Sequence, residues 1–282
     1  MRITIASGKG GTGKTTVATN LAWVAKRAGR TVQVLDCDVE EPNCHIFLKP
    51  EMSRVETVGV RMPEVDAKTC TGCGECAKMC QYKAMICVRG QALLFPELCH
   101  GCGGCTLVCP EGAITEVERE VGVVESGQAD GIAFVQGLLN VRQAMSPPVI
   151  RGVKRHMTDE SLVILDAPPG TSCPVISAVH GSDYVVLVTE PTPFGLNDLD
   201  LAVKMARALG LSMGVVINRS DVGDSRVVDY CREEGIGVLA EIPNDRKVAE
   251  CYSRGELAAE ALPAYADRFA ALLEVLESEC SG

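Results

Sequence analysis

The stretch Ser7-Gly8-Lys9-Gly10-Gly11-Thr12-Gly13-Lys14-Thr15-Thr16 constrains this chain more than any other. It follows a short apolar strand, Ile3-Thr4-Ile5-Ala6, and opens a predicted helix from Thr15 to about Ala28. From Gly8 through Gly13, Lys14 and Thr15 it satisfies the phosphate-loop pattern G-x-x-x-x-G-K-[ST]. The glycines let the backbone curl so that its N–H groups face phosphate oxygens, and the positive end of the helix adds to the attraction. Lys14 is placed to pair with the β- and γ-phosphates and the Thr15 hydroxyl to hold Mg²⁺. A second lysine, Lys9, stands early in the loop.

Two acidic strand ends accompany the loop. Thr31 to Asp36 reads as a strand that runs into Asp36-Cys37-Asp38 and then the polar, proline-broken Glu40-Glu41-Pro42-Asn43. Acidic residues at the carboxyl end of a strand in an open α/β sheet lie where ligands bind. Asp38 either directs an attacking water or caps a turn. Leu162 to Leu165 is an apolar strand ending in Asp166, followed by Ala167-Pro168-Pro169-Gly170-Thr171. This places Asp166 beside Mg²⁺, commonly through a coordinated water, and Gly170 where its N–H reaches the γ-phosphate.

Cysteine is the other unusual feature. Of fifteen, nine fall between Cys70 and Cys109. Cys70-x2-Cys73-x2-Cys76-x3-Cys80 repeats 29 residues later as Cys99-x2-Cys102-x2-Cys105-x3-Cys109. This is the two-cluster bacterial ferredoxin pattern, in which the fourth cysteine of each run ligates the other [4Fe–4S] cluster. Cys70, Cys73, Cys76 and Cys109 are thus expected at one cluster, and Cys99, Cys102, Cys105 and Cys80 at the other. Pro110 follows Cys109, but Gln81 follows Cys80, which leaves the second cluster less shielded. Cys87 reads as small buried filler. His100 is either a surface residue or tunes the cluster beside it.

Further strands are expected near 55–60, 121–125, 132–136, 184–189, 214–218 and 237–242. Helices are expected near 147–156, 197–209, 225–234, 245–254 and 265–278. Such alternation implies a mostly parallel sheet covered by helices on both faces. Glu190 and Asn218 follow strand ends where a nucleotide base would lie, and the Asn218 amide suits an adenine edge, unless it serves only a turn. A formal charge of −10 argues against a nucleic-acid surface and gives no support for acidic membranes. No secretory signal and no apolar run approaching ~20 residues is visible, so a cytoplasmic location is expected.

Together, Lys9 to Thr16, Asp36-Cys37-Asp38, Asp166 to Thr171, Thr189-Glu190-Pro191-Thr192 and Val216-Ile217-Asn218-Arg219 resemble the deviant-Walker (MinD/Mrp/nitrogenase iron protein) ATPase superfamily. With the cysteine repeats, the chain is similar to its members that carry an inserted ferredoxin domain. The resemblance implies a P-loop NTPase α/β fold over 1–62 and 119–282, with an α+β bacterial-type 2[4Fe–4S] domain inserted at 63–118. It implies an ATPase that turns ATP over to ADP with Mg²⁺ and is slow without its partner. It also implies a homodimer, or a pseudo-homodimer with a paralogue, in which Lys9 reaches the partner's nucleotide. Asp38 is then the water-directing residue and Asn218 the adenine contact. Nucleotide-gated electron transfer to or from a redox protein is the first expectation. A cluster carrier or cofactor-maturation scaffold is the alternative, although no C-terminal Cys-x-x-Cys is present. Cys173, seven residues after Asp166, is either a bridging ligand between subunits or a buried structural thiol.

Overall fold

The computed structural model describes residues 1–159 and 162–280. Eleven strands are present among them: β1 (Arg2–Ala6), β2 (Val32–Asp36), β3 (Glu51–Val65), β4 (Met85–Val88), β5 (Gln91–Leu94), β6 (Ile114–Ala129), β7 (Ile132–Leu139), β8 (Leu162–Asp166), β9 (Tyr184–Thr189), β10 (Met213–Asn218) and β11 (Gly237–Ile242). The chain divides into two units. One comprises Met1–Val55, Val124–Leu138 and Ile150–Gly282; the other comprises Glu56–Val123 and Leu139–Val149.

The first unit is built on a sheet whose order runs β11-β10-β9-β1-β8-β2-β7, then β6 and β3. Strands β2, β8 and β9 are buried along their whole length, which is why they read as unbroken apolar runs rather than alternating ones. Pairing from β7 through β11 across the sheet centre is parallel, with Ile3 opposite Ile164 and Tyr184, and Asp36 opposite Asp166. One edge of the sheet therefore collects the residues after β1, β2, β8, β9 and β10. The helix Lys14–Arg27 lays Val17, Leu21 and Val24 on the sheet, where Phe134, Phe269, Leu272 and Leu276 complete the core. No helix among the described residues is long and apolar enough to cross a membrane.

The second unit holds the cysteine repeat. β4 and β5 form an antiparallel hairpin, Met85 opposite Leu94. Its turn residues Arg89 and Gly90 both have positive φ, as a two-residue hairpin turn requires. Cys76, Met85, Ala92 and Ile114 make a small core.

Several elements differ from the expectations. The hairpin β4–β5 was not foreseen, and β3 and β6 run to 15 and 16 residues rather than the short strands expected. Their outer positions are exposed and charged, so apolar alternation does not mark them. The helix Pro193–Ala208 begins four residues before Asn197, because Thr192 caps it by accepting the Gly195 N–H at 3.0 Å.

Gly8 fixes how the phosphate loop meets that helix. A Cβ there would lie 2.0 Å from the Asp198 carbonyl oxygen, which is backbone and cannot swing aside. Gly8→Ala is expected to destabilise the fold by about 1–3 kcal/mol in urea denaturation. An unchanged midpoint would show that the two segments are not in fixed contact.

Candidate functional site

The loop between β1 and the helix Lys14–Arg27 is closed by local geometry. Gly11 and Gly13 have φ of 77° and 99°, open to glycine and costly for other residues. A Cβ on Gly13 would meet the Asn218 amide at 2.5 Å. That amide instead donates to the Thr12 carbonyl at 2.8 Å, tying the end of β10 to the loop. Gly170, also at positive φ, donates its N–H to the Ser7 carbonyl at 3.0 Å. The first turn of the helix carries no acidic residue of its own.

Three carboxylates face this loop. Thr15 Oγ1 donates to Asp166 Oδ2 at 2.6 Å. Asp166 Oδ1 and Thr12 Oγ1 are buried without a protein partner. Asp36 is fully buried, and its carboxylate accepts N–H groups from Asp38 (3.1 Å), Asn43 (2.9 Å) and Cys44 (2.9 Å). Cys44 also donates its thiol to Asp166 Oδ2 at 3.4 Å. Burial, and then the neighbouring Asp166, raises the Asp36 pKa; burial likewise raises that of Asp166, opposed by Thr15 and Lys14. Asp38 is pushed up to about 6, first by burial and then by Asp166. Burial lowers the Lys14 pKa, against the pull of Asp166, Asp38 and Asp36. An unpartnered carboxylate oxygen beside a hydroxyl, in a site short of positive charge, fits a hydrated Mg²⁺ with phosphates.

A cavity of about 480 Å³ is bordered by Gly10, Lys14 and Asp38 together with Asn218, Pro243, Tyr252 and Phe269. That volume and its mixture of loop N–H groups and apolar rings suit a nucleotide. Lys14, Thr15, Thr16, Asp38 and Asn218 border it; Gly8 and Thr12 do not, and Thr12 is buried. Glu190 is not among the bordering residues. Its carboxylate pairs with Arg219 at 2.8 Å and Lys9 at 3.6 Å. Sequence reasoning missed Arg219 and Cys44 as neighbours of the site. It placed Asp36 at a strand end without seeing that its carboxylate caps residues 38–44; the closely spaced Asp36 and Asp38 were the available signal.

In the second unit, Cys70, Cys73, Cys76 and Cys109 border one small cavity with Gly72 and Gly74. Cys102 and Cys80 act electrostatically on Cys99, and Cys99 on Cys105, while Cys105 also acts on Cys76 of the first set. Gly72, Gly74, Gly101 and Gly103 all have positive φ, so each three-cysteine loop curls around its sulfurs. Backbone N–H groups already point at sulfur: Gly101 to Cys99 at 3.4 Å and Ala113 to Cys109 at 3.3 Å. At Cys80 burial raises the thiol pKa, but N–H groups of Met85, Ala84, Tyr82 and Lys83 outweigh it and lower it. Thiolate donors on curled, N–H-lined loops fit iron–sulfur ligation. His100 is exposed and stacks on Tyr82 with ring centroids 3.5 Å apart. Cys87 is half-buried and donates to the Gly72 carbonyl at 3.2 Å. Cys173 is exposed rather than buried, at the start of the helix Cys173–Val179, so the expectation of a buried structural thiol is not met.

The acidic cluster predicts a pH response in metal-free, nucleotide-free protein. A carboxyl whose folded pKa is raised holds its proton in the folded state after the unfolded chain has lost it. Its contribution to stability therefore falls as pH rises from the ordinary value of 3.8 towards about 6 for Asp38 and towards about 8 for Asp36. Asp36→Asn removes one such group. The stability of Asp36→Asn relative to the parent is expected to rise with pH across that window, by roughly 1 kcal/mol per pH unit in urea titrations. A difference independent of pH would contradict the burial of a strained carboxyl pair.

Comparison with known proteins matches this arrangement. An uncharacterized protein of Methanocaldococcus jannaschii is 33% identical over 227 residues, covering 79% of this chain and 80% of its own. A protein of the same organism named iron-sulfur cluster carrier protein is 24% identical, covering 90% of this chain and 76% of its own. The structure of the septum site-determining protein MinD with Mg-ADP from Pyrococcus horikoshii superposes with a TM-score of 0.60 at 20% identity, over 98% of this chain and 95% of that one, a likeness of fold. The profile of the CobQ/CobB/MinD/ParA nucleotide binding domain matches residues 3–258. With its phosphate loop, buried Asp166 and mostly parallel sheet, the chain belongs to this family of P-loop nucleotide-binding proteins.

Proposed function

We propose that the protein is an ATP-hydrolysing iron–sulfur protein that acts on a protein partner. The observation that carries this reading is the cavity bordered by Cys70, Cys73, Cys76 and Cys109, in a chain whose other unit holds a phosphate loop. In the nucleotide site, Lys14 and the loop N–H groups bind and orient the β- and γ-phosphates. Thr15 and Asp166 hold Mg²⁺, which when bound neutralises phosphate charge. Asp38, half-buried at the cavity, accepts a hydrogen bond from the attacking water and aligns it. Asn218 fixes the loop through Thr12 and borders the base end. Lys9 lies outside its own cavity's border and is partly exposed, which suits a role in the site of a second copy in a two-fold dimer.

The eight repeat cysteines hold two [4Fe–4S] clusters, Cys70, Cys73, Cys76 and Cys109 at one and Cys99, Cys102, Cys105 and Cys80 at the other. Such clusters store and pass single electrons. Cluster carriage or metallocofactor maturation stands first, because a relative covering 90% of this chain bears the name of an iron-sulfur cluster carrier protein. Gated electron transfer is the second reading. It is supported by the two complete four-cysteine sets, which favour clusters that stay in place. The two are separated by incubating the anaerobically reconstituted protein with an apo-ferredoxin, with ADP or a non-hydrolysable ATP analogue. Nucleotide-dependent loss of iron to the acceptor supports carriage. Retained clusters that reduce and reoxidise reversibly support electron transfer. Protein that binds no iron would overturn both.

Two mutational results are expected. Lys14→Ala loses ATP binding, whereas Lys9→Ala keeps it and loses about a hundredfold or more in turnover, measured by equilibrium binding and phosphate release. Cys76→Ala lowers iron after reconstitution from ~8 to ~4 per chain, because one set loses a ligand and the other is complete. Full turnover in Lys9→Ala would contradict the role of this lysine across a dimer.

A further inference from the structure

Glu190 follows β9 at the sheet edge that bears the nucleotide site, yet it does not border the cavity. Its side chain is 11% exposed and faces two cations. Arg219 Nη1 lies 2.8 Å away and Lys9 Nζ 3.6 Å away. The carboxylate is on a fixed support: the Glu190 carbonyl accepts the Thr192 N–H at 2.8 Å, and Gly195 packs so closely that a Cβ there would fall 2.2 Å from that oxygen. The cations are the movable partners. Arg219 borders the cavity and holds a left-handed backbone with φ of 52°, its N–H donating to Asn218 Oδ1 at 3.0 Å. Lys9 sits in the phosphate loop, its carbonyl accepting the Ser7 hydroxyl.

The two cations sit on different oxygens of this carboxylate, Arg219 on Oε1 and Lys9, more loosely, on Oε2. Arg219 has the short contact, so Lys9 is the partner that lets go. The geometry points to Glu190 as an intramolecular latch that parks Lys9 against its own subunit. This rests on the assignment of Lys9 to a partner's site, and it adds what holds that lysine back while the chain is alone. Glu190 is then a positioning residue that acts through Lys9.

The test is Glu190→Gln, which keeps an acceptor for Arg219 and removes the charge that attracts Lys9. In nucleotide-free protein, site-resolved acetylation read by mass spectrometry should show Lys9 reacting about twofold to fivefold faster than in the parent, the range expected for release from a partly exposed ion pair. Lys14 in the same loop is the reference and should not change. In the second arm, the protein concentration giving half-maximal ATP turnover should fall by about the same factor, since less of the lysine's attraction is spent inside the monomer. An unchanged Lys9 rate, an equal rise at Lys14, or an unshifted concentration curve each overturns the latch. Lys9→Ala is run alongside. If it hydrolyses ATP normally, the assignment of Lys9 to a partner's site fails, whatever the acetylation arm shows. If it is inactive while Glu190→Gln behaves as the parent, the latch alone fails.

Discussion

The register of β2 on β8 puts two buried carboxylates, Asp36 and Asp166, opposite each other at the edge of a parallel sheet. Two such groups repel, and neither is solvated, so the surroundings must supply compensation. Much of the site is that compensation. Thr15 donates to Asp166, Lys14 brings a cation into the protein, and three N–H groups from residues 38–44 converge on Asp36. One oxygen of Asp166 is left with no protein partner, where a hydrated divalent cation fits. The loop after β2 is therefore folded around a charge whose balance changes when Mg²⁺ and phosphate arrive. This gives the loop a physical reason to answer to the nucleotide.

The cysteine unit solves a different problem with the same means. Each three-cysteine run is short, and its sulfurs face inward only because glycines at positive φ reverse the backbone between them. Close approach is part of the design: a Cβ on Gly72 would lie 2.1 Å from the Gly90 carbonyl oxygen, so the hairpin turn seats against the first loop. Around Cys80, the backbone N–H groups of Met85, Ala84, Tyr82 and Lys83 hold the thiol pKa down, and the Tyr82 ring stacks on His100, joining segments that carry Cys80 and Cys99.

Legibility in the sequence followed the range of the interactions. The phosphate loop, the buried strand ending in Asp166 and the doubled cysteine spacing are local patterns whose chemistry requires that spacing, so they could be read directly. The strands at the sheet centre were visible because they are apolar throughout. β3 and β6 were underestimated because their exposed positions carry charge. The capping of residues 38–44 by Asp36 depends on how a loop folds back, and the contacts among Lys9, Glu190 and Arg219 join residues 29 to 181 positions apart. No local pattern encodes them. Glu190 was read as a base contact from its place after a strand; the same place brings it to Arg219 and Lys9 instead.

The central claim is that the nucleotide state is felt at the clusters. It is tested most directly by electron paramagnetic resonance of the reduced, anaerobically reconstituted protein, titrated for midpoint potential with ADP, with a non-hydrolysable ATP analogue, and without nucleotide. The account predicts a line shape or midpoint that differs between the ADP and ATP-analogue states, and no difference in Lys14→Ala, which cannot bind either. Identical spectra and potentials in all three states of the parent protein would contradict it.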